Sequence, residues 1–68
     1  MNAPLDVFLI ETNDANKFLF RTESLFDAIE MIREHGLGSY LVFSQNSRRK
    51  RFYEVKAGGE VLFREREQ

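Results

Sequence analysis

The chain has no cysteine and no tryptophan, and only one proline and one histidine in 68 residues. Without cysteine there is no disulfide to staple the fold and no thiolate to hold a metal. That composition agrees with a reducing cytoplasm as the compartment. His35 has no second histidine with which to build a zinc site. No apolar run is long enough to cross a bilayer. The start, MNAPLDVFLIET, lacks the basic opening and long apolar centre of a signal peptide. Internal repeats and low-complexity segments are absent. So are the phosphate-loop, dinucleotide-binding, EF-hand and metalloprotease patterns.

These gaps argue against an enzyme. His35 falls in the last turn of an expected helix, where a cation complements the helix dipole, and no nucleophile motif accompanies it. Closely spaced carboxylates occur only on the outer stripe of that helix (Glu23, Asp27, Glu30, Glu34), where nothing desolvates them. That stripe reads as a solvated helix face. No catalytic residue, metal or cofactor is expected.

What remains is 43% hydrophobic and 31% charged, with a net charge of −1. The hydrophobic share excludes a disordered chain, and the length makes one small domain over residues 1–68, frayed at about 1–4 and 66–68. A chain this short buries only about 60% of its unfolded surface, so its core is marginal and association is the simplest added staple.

LDVFLIE (5–11) and KFLFRT (17–22) read as the strands of a hairpin around TNDAN, whose Asn and Asp side chains favour turns. Ser24 caps a helix, with Asp27 at the reciprocal capping-box position. Leu25, Ala28, Ile29 and Ile32 follow at helical spacing, and Gly36 closes it. The GLG at 36–38 follows a helix instead of preceding one, so it is punctuation and not a phosphate loop. SYLVFSQ (39–45), RFYEVKA (51–57) and EVLFRER (60–66) are three further strands, the last two joined at Gly58-Gly59 as a two-residue hairpin turn. The expected fold is α+β, in the order ββαβββ, with a mainly antiparallel sheet and one helix on one face.

Side chains alternate across a strand, so each strand sorts into two faces. One face collects Leu41, Phe43, Phe52, Val61 and Phe63; the other collects Tyr40, Val42, Tyr53, Val55 and Leu62. In the first hairpin, Val7, Leu9, Phe18 and Phe20 share one side, and Phe8, Ile10 and Leu19 the other. Both faces are apolar, yet one helix covers one face. The second face therefore lacks a cover from the same chain, and a large uncovered apolar patch marks an interface. Bulk favours the phenylalanine face as the core, although that face also carries Glu54 and Lys56. On that choice Tyr40, Val42, Tyr53, Val55 and Leu62 form the partner-binding surface. The expected function is a small non-enzymatic interaction module that forms a homodimer or docks another protein.

Charge suggests an alternative partner. Residues 1–35 hold seven acids and three bases, and residues 36–68 hold seven bases and four acids. Arg48, Arg49, Lys50 and Arg51 sit at a hairpin tip, where they could contact phosphates and gain affinity by counterion release. The adjoining Phe52 and Tyr53 could stack on the bases of a single strand. The overall charge of −1 weighs against a nucleic-acid binder and for a solubilising loop or a protein contact.

Overall fold

Two strands, a helix and three strands follow one another along the chain: β1 (Leu5–Ile10), β2 (Asn16–Thr22), α1 (Leu25–His35), β3 (Gly38–Ser44), β4 (Lys50–Val55) and β5 (Val61–Arg64). The computed structural model describes residues 4–12 and 15–64. Residues 1–3 and 66–68, expected to fray, lie outside the described residues. The Pro4 carbonyl accepts from the Gln45 amide at 3.2 Å.

The strands form one antiparallel sheet in the order β2-β1-β3-β4-β5. β2, α1 and β3 make a crossover with β1 inserted between its two strands. The fold is thus the α+β domain that the sequence indicates. Helix α1 begins where Ser24 Oγ accepts from the Asp27 amide at 3.3 Å. The reciprocal half of a capping box is taken by another residue, since the Ser24 amide points to Thr22 Oγ1 at 3.5 Å. Gly36, at φ 115°, ends the helix and donates its amide to the Ile32 carbonyl.

The helix packs on the tyrosine face, which corrects the choice made from bulk. Ala28 and Ile32 are buried with Leu5, Val7, Tyr40, Val42, Tyr53 and Val55, and Leu9, Leu19, Phe20, Leu25, Ile29 and Val61 close around them. Desolvation explains the choice. The opposite face carries Arg21, Asp6, Lys50, Glu54 and Arg64 against Lys17 and Arg51 on the helix side, and burying five charges under a helix would cost more than burying two tyrosine rings. Tyrosine hydroxyls can be satisfied locally, and Tyr40 does so by donating to the Gly36 carbonyl at 2.7 Å.

Two further face assignments change. The β4–β5 connection has three residues, Ala57, Gly58 and Gly59, inside the Lys56–Glu60 pair (Lys56 N to Glu60 O, 2.8 Å). Positive φ at Gly58 and Gly59 supplies the turn. One residue more than the two-residue turn reverses β5, because side chains alternate with period two. Val61 and Phe63 therefore join the helix side opposite Val55 and Tyr53, and Leu62 goes to the open side. In the first hairpin a bulge follows Val7: Val7 opposes Phe20, but Phe8 opposes Phe18. Phe18 thus shares the open face with Phe8, and Leu19 turns toward the core.

Candidate functional site: the open sheet face

The face away from the helix is ordered by the strand register into three rows that cross the sheet. The middle row is Phe18, Phe8, Leu41, Phe52 and Arg64. On one side of it lies Arg21, Asp6, Phe43 and Lys50. On the other lies Asn16, Ile10, Ser39, Glu54 and Leu62. Apolar groups fill the centre and charges sit toward the corners.

Phe18 is 51% exposed, while Phe8, Ile10, Phe43, Phe52 and Leu62 are partly exposed. The Phe8 and Phe18 rings meet edge to face with centroids 5.6 Å apart. Leu41 is buried by its neighbours although no helix lies over it. Over the small side chain of Ser39 the surface sinks into a depression of about 220 Å³. Ile10, Phe52, Glu54 and Arg64 line it, with Tyr40 and Tyr53 in its floor.

Both carboxylates of this face are held in ion pairs. Arg21 Nε donates to Asp6 Oδ1 at 2.6 Å and Gln45 Nε2 donates to Asp6 Oδ2 at 2.7 Å. The Arg21 hydrogen bond outweighs the cost of burial and, with Gln45, holds the Asp6 carboxyl below its usual value of 3.8. At the far corner Glu54 accepts from Arg64 Nε at 3.1 Å and lies 4.0 Å from Lys56 Nζ. Lys50 has no ion-pair partner among the described residues.

The residues predicted to bind a partner are divided by this geometry. Tyr40, Val42, Tyr53 and Val55 lie beneath the helix, buried to at least nine-tenths, and only Leu62 of that group is on the open face. Burial pushes the Tyr40 and Tyr53 hydroxyls above their usual 10.0, with Arg51 pulling Tyr53 partly back. The face left at least partly exposed is instead the one carrying Phe8, Phe18, Phe43 and Phe52. Compared with protein-family models, with curated proteins and with solved structures, the chain matches none.

The basic run does not share one surface. Arg48 and Arg49 lie in the exposed β3–β4 turn, Lys50 projects on the open face beside Phe43, and Arg51 opposes Val42 on the helix side. Arg48 adopts φ 60°, a left-handed conformation uncommon for a residue with a side chain. Tyr53, proposed to stack on bases, is buried, whereas Phe52 is on the open face. Among the described residues no group of three or more histidine, aspartate or glutamate side chains is placed to hold a metal. Among the described residues no helix is long and apolar enough to cross a membrane.

Proposed function

We propose that this chain is a small non-enzymatic interaction module that docks a protein surface through the open sheet face of Phe8, Phe18, Leu41, Phe43, Phe52 and Leu62. The observation that carries the reading is the placement of the helix: it covers the tyrosine face and leaves the phenylalanine face partly exposed. Rigid aromatic side chains with few rotatable bonds are the usual anchors of protein interfaces. Asp6 and Glu54, each held in an ion pair at the rim, add orientation more than affinity.

Lysine at the exposed Phe18 and the partly exposed Phe43 provides the test. Phe18→Lys/Phe43→Lys leaves a docking face without its anchors, so the variant keeps a melting temperature near that of the parent and loses association. If the face were packed by the chain's own ends, the same variant would unfold, because charge would then be buried.

Single-stranded nucleic acid is the second reading, and it draws on Arg48, Arg49, Lys50 and Arg51, none with an ion-pair partner among the described residues. It predicts oligonucleotide binding that weakens steeply with salt and is lost in Arg48→Glu/Arg49→Glu. The docking reading predicts no salt-sensitive binding and an unchanged fold in that variant.

A further inference from the structure

On β3 and β4 the open face is self-complementary about its middle row, whereas Arg64 at the β5 end of that row meets its own counterpart and is already paired with Glu54. On β3, Phe43 rises two residues to one side of Leu41, and Ser39, with its depression, lies two residues to the other. On β4, Lys50 and Glu54 stand in the same relation to Phe52. Leu41 and Phe52 oppose each other across the strands, so both centres lie in one row. Each step of two residues is about 7 Å along the strand.

From this register we infer that the occupant of the open face is a second copy of the chain, related by a twofold axis that runs across the strands along the row Phe8–Leu41–Phe52. The inference rests on the open face being a docking surface. Rotation about that axis places Phe43 of each copy over the depression above Ser39 in the other. A cavity of about 150 Å³ accepts a benzene ring, so the depression of about 220 Å³ has room for one phenyl group. The same rotation places Lys50 of each copy over Glu54 of the other, two opposite-charge pairs from one symmetry operation. Asp6 then faces Ile10 of the other copy, and Asp6 needs nothing from it because Arg21 and Gln45 already satisfy both carboxylate oxygens. The two sheets pack face to face about 10 Å apart, as in an aligned sandwich. A standard interface takes about 800 Å² from each partner, about a sixth of the 4757 Å² accessible surface. One broad side of a molecule of 35 × 25 × 19 Å is enough to supply that area.

Charge reversal distinguishes this arrangement from any other. In Lys50→Glu, position 50 meets Glu54 of the other copy as a like charge, and in Glu54→Lys it meets a lysine as another. Each homodimer is expected to weaken at least about tenfold, which corresponds to about 1.4 kcal/mol, because like charges facing each other across an interface repel. An equimolar mixture of the two variants restores both opposite-charge pairs, so sedimentation of the mixture is expected to show a heterodimer of near wild-type affinity. Ser39→Phe, which fills the depression from an exposed position, is expected to abolish association while the circular dichroism melt stays that of the parent; it serves as the test if loss of the Glu54–Arg64 pair destabilises Glu54→Lys. A wild type that dimerises while the mixture gains nothing over its components, with Ser39→Phe associating normally, overturns the twofold register and leaves the docking face standing. A wild type that stays monomeric at high micromolar concentration overturns the second copy as occupant. Unfolding of Phe18→Lys/Phe43→Lys would be the separate result that removes the docking face itself.

Discussion

At the scale of single residues, two polar side chains carry the arrangement of the two faces. Tyr40 has one hydroxyl proton and gives it to the Gly36 carbonyl at 2.7 Å, so His35 Nδ1, 3.0 Å away, is the donor in that contact. The ring thereby fastens the end of the helix to β3. Tyr40→Phe keeps the packing and removes both hydrogen bonds, and is expected to cost about 1 kcal/mol in denaturant unfolding. Asp6 does the equivalent at the other end of the sheet, joining β2 through Arg21 to the β3–β4 turn through Gln45. Its pKa is lowered in the folded state relative to 3.8, so its contribution is fully present above that value and is lost as pH falls through the lower, folded value. Melting temperature should therefore drop in that acidic window, and Asp6→Asn should flatten the drop. An identical acid profile in Asp6→Asn would assign the acid sensitivity to other carboxylates.

At the scale of elements, the signals that could be read from sequence were local ones. Ser24 and Gly36 bound the helix because a cap and a left-handed glycine act on the adjacent backbone alone. The faces of β3 and β4 were also legible, since Leu41 opposes Phe52 in the structure as alternation requires. The turn at Gly58-Gly59 was not: two glycines suit a two-residue and a three-residue connection equally, and the longer one reverses β5. The bulge after Val7 has no glycine to mark it, and it moves Phe18 to the opposite side. Which face meets the helix depends on where Tyr40 finds an acceptor and on what charge must be desolvated, and neither is a property of alternation. The helix itself gives a sharp prediction. Ile32 is fully buried, and Ile32→Ala should cost about 2–5 kcal/mol, a large part of the stability of a domain this small. A variant melting with the parent would mean that α1 does not close the core.

At the scale of the whole molecule, the one helix and five strands of the described residues leave an imbalance: two apolar sheet faces and one cover. The sheet buries Tyr40, Val42, Tyr53 and Val55 under α1 and presents a face with phenylalanines at its centre and ion pairs at its rim. The central claim is that the phenylalanine face is open in the single chain and closes on another protein surface, with a second copy as the proposed one. Proton NMR with a soluble paramagnetic probe, across a dilution series, tests it most directly. The account predicts that the rings of Phe18, Phe43 and Phe52 are broadened by the probe when the protein is dilute and shielded when it is concentrated, while those of Tyr40 and Tyr53 are shielded throughout. Phenylalanine rings shielded even at the highest dilution, or tyrosine rings broadened like them, would contradict the assignment of the faces, and phenylalanine broadening that does not change with concentration would contradict self-docking.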